Sequence, residues 1–470
     1  MAVAQPALFA AKALEAIQMA KQKNEPFFVS EILKIDEINP FHFYHAGQAL
    51  YQNERFFWKN ADDTLHLVGL GSAFSILSNG DSDRFAHVEE EWTKFKSRVV
   101  SDHNGQAEGT GPVLLGGFSF DPKKREAGIW SSFSNAQFFV PRFLLTVHHQ
   151  KDVYLSVTFA CRPEDDEQIV NEVNQELHFI LTHARESSFK QTRPLIVSKN
   201  EIAPEQWKDS VGSAIQALKN KELEKVVLAR KLELKFEEPL DITSVLLTLD
   251  REQKDSFLFS FDWEGASFVG ATPERLVRKK GDVAQSTCLA GSIGVGQSDE
   301  ETAELGDWLL NDEKNTVEHN YVVQQITKTF ENLCLEVKVD DKPKVLKMRD
   351  IQHLYTGVKG KVLHHVSLLD FVESLHPTPA LGGTPRNKAL QLIRELEHMD
   401  RGYYAAPIGW CDFEDNGEFV VGLRSGLIQG DKVTLFAGCG VVENSVPEKE
   451  YEETGIKFRP MLSALGGMEN

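Results

Sequence analysis

The sequence predicts a large mixed α/β protein, and three observations carry that reading. The chain has 470 residues, beyond the usual size of one simple domain. Alternating apolar and polar runs, which suit strands, are interspersed with segments whose apolar positions recur at helical spacing. The composition, 41% hydrophobic and 26% charged, lies in the range of folded globular proteins and away from disordered or collagen-like chains.

Each element follows from its local pattern. Leu8, Ala11, Leu14, Ile17 and Met19 are spaced as in a short amphipathic helix over 7–22. From 27 to 160 the texture is sheet-rich, with strands expected at 41–44, 65–70, 113–120, 138–147 and 153–159 and turns at 79–81 and 104–105. A polar helix over 163–186 leads to the segment Gln191-Thr192-Arg193-Pro194, which marks a seam near 195. It divides an N-terminal portion, 1–195, from a second portion, 196–465. Trp207, Val211, Ile215 and Leu218 then mark a helix, followed by a strand over 225–232. Further strands are expected at 257–263 and 267–270, a long helix at 299–332, another at 386–398, strands at 406–413, 418–428 and 432–439, and a helix at 447–458. No short repeat or low-complexity tract is visible.

Charge and cysteine usage narrow the function. With 51 Lys and Arg against 70 Asp and Glu, the net charge of -19 repels nucleic acid and anionic lipid. A dianionic substrate would therefore need a local gathering of cations or a metal. The five cysteines are scattered without metal-ligand or disulfide spacing, which points to a reducing cytoplasm. No cleavable leader or membrane-length apolar run is expected.

The residues suited to chemistry lie in the second half. Glu318 sits on the long predicted helix, and Glu450 and Glu453 form an i, i+3 pair on the last one, with Lys457 a turn further on. Carboxylates projected from two helices can hold Mg²⁺, which takes oxygen ligands and keeps several waters; singly, each is equally a solvated helix face. His319 faces away from Glu318 and reads as structural. The stretch FAGCGVV (436–442) reads as a glycine-bearing turn after a strand. The N–H groups around Gly438 and Gly440 could bind a carboxylate there, or the glycines could simply serve a tight turn. Arg424 lies within an apolar strand, where burial demands an anionic partner and an edge position would leave it in water. Lys225 leads an apolar strand and Glu274 lies in GATPERL (270–276). A lysine short of hydration can act as a general base and a partly buried glutamate can stay protonated as an acid, although lysines at strand ends commonly reach out to solvent.

Taken together, LEKVVLAR (223–230), FVGATPERLV (268–277), CLAGS (288–292), NDEKNTVEHN (311–320), LHPTPALGGTP (375–385), GLRSG (422–426), AGCG (437–440) and PEKEYEETGIK (447–457) resemble the chorismate-binding enzyme family. That family includes isochorismate, salicylate, anthranilate and aminodeoxychorismate synthases. The resemblance implies two packed antiparallel sheets surrounded by helices. It also implies a Mg²⁺-dependent conversion of chorismate to isochorismate. Members that deliver ammonia carry Gln where this chain has Lys225, so water is the implied nucleophile and no glutamine amidotransferase subunit is expected. Ala290 stands where aminodeoxychorismate enzymes place a lysine, which disfavours a covalent adduct. By the same resemblance, Lys225 would draw a proton from water attacking C2 and Glu274 would protonate the departing C4 hydroxyl. Glu318 and Glu453, helped by Glu450, would hold Mg²⁺. Arg424, Lys457 and the N–H groups near Gly438 and Gly440 would hold the substrate carboxylates. Gly291 and Ser292 would line the ring, His376 would sit near the reacting edge, and Leu381 would pack on the ring or serve the core. In the N-terminal portion, LGGFSFDP (115–122) and FFVPR (138–142) resemble isochorismate synthases of the menaquinone type. Salicylate synthase, which goes on to eliminate pyruvate, and a catalytically silent chorismate-binding protein are the competing readings.

Overall fold

The structure is a computed structural model that describes residues 6–101, 107–123, 128–186 and 189–467, with side chains from residue 9 onward. The turn expected at 104–105 lies outside the described residues.

Two antiparallel sheets are joined through shared long strands. One runs from Val99–Val100 through Phe27–Lys34, Asp152–Cys161, Ala136–His148, Leu65–Ser78, Glu54–Lys59, Phe257–Trp263, Ala266–Thr272, Ser425–Gln429 and Lys432–Val441 to Lys225–Phe236 and Ile196–Glu201. The other leaves the far end of Ala136–His148 and runs through Val113–Phe118, Pro407–Asp412, Gly417–Val421, Arg275–Lys280 and Val283–Gly294 to Ile351–Val362. The pairing between Leu65–Ser78 and Ala136–His148 slips between Ser72 and Phe74, where the long ribbon passes from one sheet to the other. Among the described residues the pairing of Phe27–Lys34 with Val99–Val100 is the parallel exception.

Successive side chains of a strand point to opposite faces, and the core follows that period. Phe56 and Trp58 of Glu54–Lys59 and Phe259 and Phe261 of Phe257–Trp263 face a core that also takes Phe138, Phe139, Trp410 and Phe419 from the second sheet. The rings of Phe139 and Phe261 lie 6.1 Å apart across it. The intervening residues Phe57 and Leu258 face a second core built with helices Pro6–Lys23, Gln168–Glu186, Ile242–Glu252 and Pro447–Ala464. Strands from before and after residue 195 alternate within both sheets, as where Glu54–Lys59 pairs with Phe257–Trp263 and Val113–Phe118 with Pro407–Asp412.

Four local expectations are corrected. Residues 41–44 lie in the helix Pro40–Ala46, because Asn39 Oδ1 accepts from Phe41 N at 2.8 Å and Pro40 suits the first helical turn. The segment 299–332 is two helices, Asp299–Asn311 and Glu313–Leu333, broken where the Asp312 carboxylate caps the second by accepting from Asn315 N. The strand expected over 418–428 is interrupted between Val421 and Ser425, and Arg424 there has φ +48. The first helix buries Phe9, Ala13, Ala16, Ile17 and Ala20, and leaves Leu14 41% exposed.

Candidate active site

A cavity of about 290 Å³ opens where Lys225–Phe236, Val283–Gly294, Lys432–Val441, Glu313–Leu333 and Pro447–Ala464 converge. It gathers Lys225, Glu274, Gly291, Ser292, Glu318, Leu381, Arg424, Gly438, Gly440, Glu453 and Lys457. Segments far apart in the chain thus deliver nearly all of the expected residues to one place.

Lys225 is buried at the start of its strand, and its Nζ donates to Glu318 Oε1 at 2.6 Å. The Asp312 break aims this contact, since it starts the helix that carries Glu318 three residues past the capped Asn315. Burial pushes the Glu318 carboxyl up, but the charge and hydrogen bond of Lys225 outweigh it and the net shift is downward. Gly440 faces the pair: a Cβ there would meet Lys225 Cε at 2.8 Å and Glu318 Oε1 at 3.0 Å, so any side chain would displace it.

Glu274 differs. It is buried in the turn after Ala266–Thr272, and burial pushes its carboxyl up to about 7 against the pull of Arg424, Lys225 and Lys457. It is therefore substantially protonated near neutral pH, which is the form of a proton donor. Arg424 lines the same cavity, and among the described residues its guanidinium makes no hydrogen bond or ion pair, so it is free to meet an anion. Lys457 Nζ pairs with Glu453 Oε1 at 2.6 Å and donates to Gly438 O at 2.9 Å.

Ser292 N accepts its orientation from Asn315 Oδ1, to which it donates at 3.2 Å, and the strand bulges between Ala290 and Ser292. Gly291, at φ +76, makes that bulge in a conformation open to glycine. His319 is buried against Ala290 O and Thr356 Oγ1, a structural position.

Two expected residues fall elsewhere. His376 does not reach the cavity: it ends the helix Leu368–Leu375 with its Nε2 3.0 Å from Phe120 O and its ring edge-on to Phe120, tying the N-terminal portion to this loop. Glu450 stands behind the wall rather than on it, 4% exposed, its carboxyl pushed up by burial and then by Glu453. The expected turn at 436–442 is also corrected. Gly438 and Gly440 lie within the strand Lys432–Val441, opposite Ala229 and Val227, so what they offer the cavity is the absence of side chains.

Sequence reasoning missed His353, Tyr404 and Arg401, which also line the cavity. His353 Nδ1 lies 2.8 Å from Ser292 Oγ, and burial followed by Arg424 and Lys457 holds the imidazole well below its usual range, hence neutral. Arg401 bonds to Val227 O, Leu381 O and Glu397 and so braces the walls. Lys225, Lys314, Arg401, Arg424 and Lys457 face Glu318, Glu453 and a largely neutral Glu274, which is the local cationic exception that the net charge requires.

The sequence profile of the chorismate binding enzyme family matches residues 14–466. The chain belongs to the chorismate-binding enzyme family. It is 41% identical to isochorismate synthase MenF of Bacillus subtilis over 98% of both chains. It is 32% identical to the salicylate biosynthesis isochorismate synthase of Pseudomonas aeruginosa, over 97% of this chain and 94% of that one. The solved structure of the menaquinone-specific isochorismate synthase MenF from Escherichia coli shares the fold, with a TM-score of 0.78 over 97% of this chain and all of that one, at 24% identity. In this family's fold the mixed helix and antiparallel-sheet architecture is the expected one.

Proposed function

We infer that this protein is an isochorismate synthase, an isomerase that converts chorismate to isochorismate by adding water at C2 with loss of the C4 hydroxyl. The observation that carries this reading is the meeting, in one cationic cavity, of buried Lys225 with a carboxyl, Glu274, that holds its proton up to about 7. The two isochorismate synthases that match nearly the whole chain, from Bacillus subtilis and Pseudomonas aeruginosa, support it.

Glu274 gives its proton to the C4 hydroxyl as that bond breaks, and Lys225 takes one from the incoming water. Lys225 can do so only as the neutral amine, once its contact with Glu318 has loosened. Arg424 and Lys457 hold the two carboxylates, and neutral His353 with Ser292 presents a polar wall without adding charge. Because Lys225 stands where ammonia-delivering members carry glutamine, no amidotransferase partner is required.

The family resemblance implies Mg²⁺. Among the described residues no three His, Cys, Asp or Glu side chains stand close enough to hold a metal alone. Glu318 and Glu453 nonetheless fit the ion, because both carboxylates reach the cavity from different helices, while Glu450 behind them is buried with Lys314 Nζ at 3.8 Å. Mg²⁺ keeps several water or substrate ligands, so it asks only a few carboxylates of a protein. When bound it would supply positive charge opposite the ring carboxylate. Among the described residues no helix is long and apolar enough to cross a membrane, and we place the activity in the cytoplasm, serving menaquinone formation.

Incubation with chorismate and Mg²⁺ tests the reading. Isochorismate is the expected product by chromatography, and accumulation of fluorescent salicylate instead would overturn it.

A further inference from the structure

The helix Asp299–Asn311 is seated firmly beside the catalytic cavity. Ser298 caps it by accepting from Glu301 N at 3.2 Å, and its buried residues Thr302, Gly306 and Leu309 recur at i, i+4 and i+7, the spacing of one helical face. Thr302 O accepts from Gln352 Nε2 at 2.9 Å, and a Cβ at Gly306 would meet Gln352 Oε1 at 3.0 Å, so this face lies close against the strand Ile351–Val362. With that face fixed, Trp308, one residue before Leu309, stands on the flank of the helix and forms part of the catalytic cavity wall beside Ser292, Ile293, Lys314 and Asn315.

This indole is placed unlike any other in the chain. Of the seven tryptophans, Trp308 is 52% exposed and the other six are at most 8% exposed. Among the described residues no hydrogen bond, ion pair or ring contact holds it. Tyr404 and His353, the other rings of the wall, are buried, and Tyr404 is stacked on Phe436. Trp308 is therefore the aromatic face that the cavity leaves open. A large apolar surface left in water at the edge of a cavity favours an occupant that covers it.

We propose that Trp308 is a substrate-contacting residue, packing its indole against the unsaturated carbon skeleton of bound chorismate and closing the outer side of the cavity. This rests on chorismate as the substrate, as inferred above. The cations of the cavity recognise two carboxylates wherever they come from, and the indole adds a preference for a ring between them. Such a contact is alike before and during the chemical step, so it contributes to binding and leaves the barrier unchanged.

Because Trp308 is half exposed, its replacement leaves the core intact, and thermal unfolding of Trp308→Ala should match that of the parent. In steady-state turnover of chorismate with Mg²⁺, Trp308→Ala should raise KM about tenfold with kcat within about twofold of the parent, and Trp308→Phe should recover most of the loss. Acrylamide quenching of tryptophan emission supplies a readout free of turnover. In the Glu274→Gln background, chorismate with Mg²⁺ should shield the accessible emission from the quencher, and the shielding should vanish once Trp308→Phe is added. Calorimetric titration of the same protein reports whether chorismate binds. Binding without shielding, or an unchanged KM in Trp308→Ala, overturns the proposal. Salicylate as the product would overturn the reaction assigned above, while the KM shift and the shielding would still uphold the contact.

Discussion

Glu274 and Glu318 are carboxyl groups on opposite functional sides of one cavity, and the structure gives them opposite characters. Both are removed from bulk water, which by itself raises each. Glu318 has the Lys225 ammonium at 2.6 Å and ends up below the ordinary carboxylate range. Glu274 feels Arg424, Lys225 and Lys457 only as charges, without a hydrogen bond from any of them, and burial wins. A contact at hydrogen-bonding distance, rather than burial or the number of nearby cations, therefore decides which carboxyl is the acid and which is an anion fit to meet a cation.

That contrast can be broken most directly at the acid. Glu274→Gln keeps the shape and removes the proton, and kcat should fall by about 10²–10⁴-fold with chorismate binding retained. Loss of binding without loss of kcat would remove Glu274 from the acid role. Lys225→Gln should lower water addition by a comparable or slightly smaller factor while Mg²⁺-dependent binding persists; retained turnover would take the base role away from Lys225. Glu318→Gln leaves the Lys225 ammonium without its anion in a mostly buried place, and thermal unfolding should report a loss on the order of 3 kcal/mol.

The pH profile sharpens the contrast. The productive free enzyme needs Glu274 protonated and Lys225 unprotonated, so kcat/KM should be bell-shaped in pH, with one limb near 7 set by Glu274 that Glu274→Gln removes from the residual activity. In the substrate complex two bound carboxylates oppose ionisation of Glu274, and the corresponding limb in kcat should lie higher. The smallest effect is expected outside the cavity. His376→Asn should leave kcat and KM within about fivefold of the parent and cost about 1 kcal/mol of stability through the lost Phe120 contact.

Much of this was legible in the sequence, and the gaps have physical causes. Strand period and helix period located most elements of the core, because burial enforces them over several residues. Asn39-Pro40 and Asp312 were the missed signals: each is a helix start whose cap overrides the surrounding pattern. The paired strands Val283–Gly294 and Ile351–Val362 escaped notice, and with them went His353, which reaches the cavity only through that pairing. Arg401 and Tyr404 sit in a loop with no period, where only the folded chain shows what they face. His376 was misplaced for the converse reason. Its motif was correctly placed near the site, but the direction of a side chain at a helix end is set by its tertiary partner, Phe120.

The central claim is that Lys225 and Glu274 add a solvent water to C2 and expel the C4 hydroxyl. Turnover of chorismate with Mg²⁺ in ¹⁸O-labelled water tests it most directly, with mass spectrometry of the product early in the reaction. The account predicts isochorismate carrying one labelled oxygen, in the C2 hydroxyl. Unlabelled isochorismate, which would mean that the original hydroxyl migrates, would contradict it.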